Sequence, residues 1–516
     1  MRRVFALVVV VLMLAPLVGV AQEDILIIGT TDRVTELSFA NSYDFWTWHV
    51  LRNTAEGLVG LEPRTHEIVP AIAESWEISE DGLVYTFYIR PGVTFWDGET
   101  CDAHAVKWSL DRTMELDGPT GGVGLIKPII NEIEVIDDLT VQITLNYPDS
   151  TFLIRMTNNL APSLIYSPES TPEDEFARGQ FAATGPYKLV EYKADERIVY
   201  EAYEGYWGDT PKTERIVEVM YADMSALRAA IESGDIDIAF RTLGPEDILD
   251  MEDNPSVEVK IYEPSPGVRY LLFNVTQPPV DNVLVRQAIT YAVDREALCS
   301  RVFADITTPI YSMVPDALPP ANSSVDAFPK RDCDKARELL SLAGYSEDNP
   351  LELNLWWTPK HYGTTEADVA AVLKDSIEDC LPARVSLESL EWGAYVERMS
   401  EGGFDMFLLG WHPDYLEASN FLAPWTTESP EGMGTYFNHH PNYDAYKHIL
   451  EVAAATVDEV QRAKLYQAVQ MLSAYDVPWI PLWSMTDEMV VVTLPGVEGA
   501  FLDLTMDLRL SLLERK

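Results

Sequence analysis

The sequence predicts an α/β protein of two lobes with mixed sheets, and three observations carry that expectation. From 351 to 409 the chain alternates strand, helix, strand, helix, strand, the pattern of a mostly parallel sheet covered by helices. Residues 216–240 hold a second such unit, in which two apolar strands flank the helical stretch 225–233 stopped by Gly234. Between the two, Glu263-Pro264-Ser265-Pro266-Gly267 interrupts all periodicity and marks the link between the lobes.

Taken in order, 25–28 is a short apolar strand closed by Gly29, and 42–51 carries aromatic residues at helical spacing, including Tyr43, Trp46 and Trp48. Strand 85–90 follows the turn Glu80-Asp81-Gly82 and ends at Pro91-Gly92, and 103–110 reads as a helix. Residues 133–145 largely alternate apolar and polar, as in a hairpin turning at Asp137-Asp138. Strands 188–192 and 198–203 follow the bend Thr184-Gly185-Pro186. Beyond the link, 270–275 is a strand and 283–292, 295–303 and 334–343 are helices. Strands 351–357 and 385–390 bracket the amphipathic helix 365–379, and 392–400 is helical. A long helix covers 457–474, and late strands fall at 479–483 and 490–493.

The stretch 404–425 organises the second lobe. Its apolar run 406–409, bounded by glycines, is too short for a helix and reads as a strand buried on both faces. Pro413 has no N–H for a ladder and moves His412 out of helical geometry, so the strand ends at about Trp411. Ligands of open α/β sheets bind beyond the carboxyl ends of strands. Asp414, with Trp411 and Tyr415 beside it, is suited there to hold an ammonium group. The same residues also read as a surface turn in which Asp414 caps the helix that follows.

Composition narrows the function classes. The chain has 83 acidic against 37 basic residues and a formal charge of −46, a surface that repels nucleic acid and anionic lipid. Residues 1–21 combine Arg2-Arg3, the apolar stretch 4–15 and the small residues Gly19-Val20-Ala21, the make-up of a secretory signal. No cysteine follows that stretch before Cys101, so a soluble exported protein without a lipid anchor is expected. The four cysteines lack CxxC spacing, which argues against a zinc site. A disulfide is predicted between Cys299 and Cys333, each in or at the start of a helix of one lobe, because export permits oxidation. Cys101 and Cys380, assigned to different domains, are expected to be unpaired.

No GxSxG, HExxH, GxxxxGK[ST] or GxGxxG occurs, and no nucleophile–base constellation can be assembled. His439-His440, with Asp444 nearby, reads as a solvated loop rather than a metal site. No catalytic residue, metal or cofactor is therefore expected. Aromatic residues are abundant instead, with 13 tryptophans and 24 tyrosines. Trp356-Trp357, Trp411 and Trp483 end or follow apolar strands, where flat amphipathic surfaces line a cleft or pack the core.

Several segments resemble family 5 of the extracytoplasmic solute-binding proteins of ABC transporters, the dipeptide-, oligopeptide- and nickel-binding proteins. They are Ala73-Glu74-Ser75-Trp76, Asp81-Gly82, Tyr85-Thr86-Phe87, Arg90 and Val93-Thr94-Phe95-Trp96-Asp97-Gly98. Thr184-Gly185-Pro186-Tyr187, Val285-Arg286-Gln287-Ala288, Ala292-Val293-Asp294-Arg295 and Trp411-His412-Pro413-Asp414-Tyr415 extend the likeness. The resemblance implies a periplasmic-binding-protein-like clamp (class II type) of three subdomains, with a two-segment hinge that closes on its ligand. It divides the chain into lobe I (22–60, 180–265 and 485–516), an extra subdomain (61–179) and lobe II (266–484). It implies a monomeric, non-enzymatic receptor that captures peptides and delivers them to permease subunits of an ABC importer. Asp414 matches the position that takes a peptide's ammonium group. Trp411, Tyr415, Trp357, Tyr43, Trp46 and Trp425 are the other expected ligand contacts. The usual Asp-Pro after the tyrosine is here Leu416-Glu417, and the fold alone does not choose among peptides, oligosaccharides and nickel chelates.

Overall fold

Ile25–Thr30 is the strand around which the first sheet is laid down. The computed structural model describes residues 25–516 except 242, 317, 321 and 427–435, with backbone alone at 425 and 426. The expected secretory signal lies outside the described residues. Ile25–Thr30 pairs in parallel with Arg215–Met220 on one side and Ile238–Phe240 on the other. The unit expected at 216–240 therefore forms with the first strand inserted between its two strands. Its helix, Met224–Ser233, begins where the Asp223 side chain accepts the Ala226 N–H. It ends at Gly234, whose φ of 78° is the left-handed conformation glycine supplies without strain. Arg197–Ala202 and Tyr187–Lys193 extend one edge. Val490–Thr493 and Glu258–Ile261 extend the other, giving seven strands. The chain thus returns to this sheet after leaving for the second.

The second sheet has six strands, with Val268–Phe273 and Met406–Trp411 at its centre, and every residue of both is buried. Leu351–Trp357 runs parallel to Ala383–Ser389 and to Met406–Trp411, with helices Glu366–Cys380 and Trp392–Ser400 as crossovers. Val268–Phe273 is antiparallel to both Met406–Trp411 and Trp479–Ser484. The sheet is therefore mixed rather than mostly parallel, because its central strand enters from the distant link and not through a crossover helix. A third sheet of four antiparallel strands, Ala73–Ile78, Val84–Ile89, Thr140–Leu145 and Ile130–Asp137, shares one apolar core with the first. Val84–Ile89 and Thr140–Leu145 show the alternating burial of strands with one face on that core.

The cysteine expectation is corrected. Cys333 pairs with Cys380, with their Cα atoms 4.9 Å apart, while Cys299 and Cys101 are free and buried. Cys333 opens helix Cys333–Leu342 and Cys380 closes helix Glu366–Cys380, so the bond joins two neighbouring helix ends. Cys299 instead packs into the core of the same lobe, where burial pushes its thiol up to about 11. Cys333→Ser is expected to lower unfolding free energy by about 2–4 kcal/mol, because the bond closes a loop of 47 residues. Urea denaturation should show the same loss when the wild type is reduced. An unchanged midpoint in both would contradict it.

Helix Phe45–Thr54 is fixed to the first sheet by buried charge. His49 Nε2 lies 2.7 Å from Glu218 Oε1, and its Nδ1 pairs with Asp507 Oδ1. All three side chains are fully buried. Tyr200 donates to the other oxygen of Glu218 at 2.9 Å, and Asp507 Oδ1 also accepts the Leu508 N–H at 2.8 Å. The C-terminal segment thereby sets the position of a helix whose first residue, Phe45, lies with its ring 6.2 Å from that of His412.

Candidate functional site

The turn after Met406–Trp411 is built on one side chain, Asn420. Its Oδ1 accepts from Trp411 Nε1 at 2.9 Å and from the Asp414 N–H at 3.0 Å, and its Nδ2 donates to Asp414 Oδ2 at 2.9 Å. Trp411, Asp414 and Tyr415 are thus brought together at the carboxyl end of a buried strand, as the sequence implied. Helix Ser419–Thr426 follows, and the Ser419 N–H donates to Glu417 Oε2 at 2.6 Å. Glu417 also accepts from Tyr466 at 3.1 Å and lies 3.3 Å from Arg462 Nε. Burial raises its carboxyl above the ordinary range. Glu417 ties the turn to helix Glu459–Asp476, a structural role the sequence reading did not anticipate.

The other side of the site comes from residues before the link. Arg155 donates to the Tyr415 hydroxyl at 2.7 Å and stacks its guanidinium 4.0 Å above that ring. The Ser150 N–H donates to Ala454 O at 2.8 Å. Leu61 and Ile154 join the apolar cluster that holds Tyr415, Leu416 and Phe421. The two halves meet at Tyr415, next to Asp414, which is 8% exposed.

A second bridge lies beside His412. Glu488, in the segment that leads back to the first sheet, accepts from Arg241 Nη2 at 2.7 Å, and His412 Nε2 lies 2.8 Å from the same oxygen. Arg241 Nε is 3.1 Å from Asp32 Oδ2, and its guanidinium lies 3.9 Å over Phe45. Burial would raise the Glu488 carboxyl, but the charges of His412 and Arg241 hold it down at about 2. Asp487 next to it is pushed up to about 7 by burial and by Glu488. Behind them Arg269 makes a buried two-bond pair with Glu366, at 2.7 and 2.6 Å. A Cβ at Gly410 would come within 2.8 Å of Tyr362 and 3.0 Å of Arg269, so glycine permits this close packing. His361 stacks 3.5 Å from Trp392, and burial lowers its imidazole to about 3. None of Arg241, Arg269, Glu366 and Glu488 was singled out from sequence.

The remaining expected contacts are dispersed. Tyr43 meets Trp48 edge-on at 5.4 Å. Trp46 is 1% exposed, between His49 at 4.5 Å and Phe240 at 5.6 Å. Trp357 packs against the helix layer of the second sheet, on a different apolar cluster from Trp411 and Tyr415. The Trp425 side chain lies outside the described residues. Among the described residues no group of three or more His, Cys, Asp or Glu is placed to hold a metal ion, His439-His440 included. No described helix is long and apolar enough to cross a membrane.

Comparison with known proteins agrees with this architecture. The family model for bacterial extracellular solute-binding proteins, family 5 (middle region), matches residues 67–433. Heme-binding protein A of Haemophilus influenzae is 30% identical over 453 residues, covering 82% of this chain and 80% of its own. The glutathione-binding protein GsiB of Pectobacterium atrosepticum is 31% identical over 481 residues, covering 91% and 90%. The periplasmic binding protein DppA of Helicobacter pylori, solved with the peptide STSA, superposes with a TM-score of 0.79 at 25% identity, covering 95% of this chain and 98% of its own. The chain belongs to family 5 of the bacterial extracellular solute-binding proteins.

Proposed function

We propose that this protein is an exported receptor that captures peptides between its lobes and delivers them to the permease of an ABC importer. The observation that carries the peptide reading is the placement of Asp414. Its carboxylate is oriented by Asn420 at the carboxyl end of a buried strand, is 8% exposed, and lies next to Tyr415, on which Arg155 of the other half is seated. A carboxylate fixed in that way takes an ammonium group through charge-assisted hydrogen bonds, and a peptide presents one at its N-terminus. Relatives named for glutathione, and a neighbour solved with a peptide, support the same class.

The proposed lobes are 22–60, 180–265 and 485–516 for lobe I, with 61–179 as its extra subdomain, and 266–484 for lobe II. Segments 262–267 and 485–489 then act as the hinge, and the Arg241–Glu488–His412 bridge spans it. Residues 1–21 direct export, and the receptor acts as a monomer without catalysis. The test is a thermal-shift panel of di- to pentapeptides, oligosaccharides and nickel chelates. Peptides should raise the melting temperature, since a ligand at 100 times its Kd adds about 2.7 kcal/mol. A shift with sugars or chelates and none with peptides would overturn the reading.

A further inference from the structure

We propose that Arg52 and Asn159 form a second subsite, on lobe I, that reads the amide group next to the ligand's ammonium. This rests on the peptide reading above. Arg52 lies near the end of helix Phe45–Thr54, and its Nε donates to the backbone oxygen of Asn159 at 3.0 Å. Its guanidinium sits 5.4 Å over the Trp48 ring, and its Nη1 is 3.9 Å from Asp507 Oδ2. Arg52 is 5% exposed and Asn159 fully buried. Yet Arg52 Nη1 and both ends of the Asn159 side-chain amide have no hydrogen-bond partner among the described residues, and Asn158 Oδ1 has none either. Buried polar groups are rarely left unmatched, each at a cost of free energy. Several together beside a binding turn mark a place prepared for another polar group.

The position of this wall follows from its neighbours. The loop that carries Asn159 is the one that brings Arg155 onto Tyr415 at 2.7 Å, immediately after Asp414. The Asp414 charge is felt at Arg52, where it acts with Asp507 and Asp503 against the downward pull of burial.

The donor set selects the chemistry. An arginine N–H and a carboxamide offer donors to a carbonyl and an acceptor to an N–H, the two ends of one peptide unit. Formal charge points away from a carboxylate here. The ion pairs His49–Glu218, His49–Asp507, Arg52–Asp507 and Arg509–Asp503 already supply the cations near this wall with carboxylates. A ligand held by its ammonium at Asp414 would then present its first peptide unit to Arg52 and Asn159.

The test measures binding of dialanine and trialanine, and of analogues in which a neutral trans-alkene replaces the first peptide bond, by calorimetry. Wild type should prefer each natural peptide over its alkene analogue by about 10- to 100-fold, the range of one or two buried hydrogen bonds. Asn159→Leu should lose that preference by weakening the natural peptides alone, without lowering the apo melting temperature. Asn159→Ala, which only deletes atoms, should give the same order if the larger side chain disturbs the loop. Natural peptides that bind the variants as they bind wild type, or an equal loss for peptide and alkene analogue, would overturn the subsite while leaving Asp414 in place. Failure of both peptides to bind wild type would overturn the peptide reading, and the subsite with it.

Discussion

Asp414→Ala is expected to weaken peptide binding by about two to four decades, with the apo melting temperature little changed. The ammonium of a bound peptide is desolvated when the lobes close, and losing its carboxylate leaves it buried without a counterion at a cost of about 3–5 kcal/mol. The apo protein does not carry that cost, because it holds no ammonium for the missing carboxylate to strand. Asn420 also keeps its Oδ1 bonds to Trp411 and to the backbone of residue 414, so the turn retains most of its structure. Calorimetry with trialanine, paired with a melting curve of the free variant, checks both halves. Equal affinity in variant and wild type would reduce Asp414 to a turn residue.

His49→Ala is expected to destabilise the protein by about 3–5 kcal/mol, because Asp507 and Glu218 would remain fully buried without their shared cation. Burial by itself would favour the neutral imidazole. The charges of Asp507 and Glu218 nevertheless hold it protonated, with its pKa raised to about 10. The free side chain titrates near 6.5. A group whose pKa rises on folding contributes fully below its unfolded value and loses that contribution as pH climbs through its folded one. Wild-type unfolding free energy in urea should therefore fall between about pH 6.5 and 10, and the variant should lack this component. A variant with wild-type stability at pH 7 would refute the network's role in holding helix Phe45–Thr54.

What the sequence disclosed follows from how local its signals are. The run 406–409 between glycines gave a doubly buried strand, and Pro413 gave its end, because period and backbone chemistry act over a few residues. The alternation across 351–409 revealed three parallel strands for the same reason. The insertion of Val268–Phe273 between Met406–Trp411 and Trp479–Ser484 is a pairing between distant segments and leaves no local trace. The disulfide was misassigned on the same ground. Cys299 and Cys333 share a lobe, but the helix end that reaches Cys333 carries Cys380.

The site divides similarly. Asp414 and its aromatic neighbours are contiguous and could be read from the chain. The Arg241–Glu488–His412 bridge draws on three separate segments, and in a chain with 83 acidic residues no carboxylate identifies its partner in advance. Glu417 looked like a departure from the motif. In the fold it is the anchor that joins the turn to Tyr466 and Arg462. Trp46 shows the converse, an aromatic at helical spacing that packs against His49 and Phe240.

The central claim, that the cleft recognises a peptide by its ammonium group at Asp414, is tested most directly by titrating wild-type protein with trialanine and with N-acetyltrialanine under the same conditions. Acetylation removes the charge and adds bulk at the point where the carboxylate must approach. The account predicts saturable binding of the free peptide and a loss of about two decades or more for the blocked one. Equal affinity for the two would contradict it.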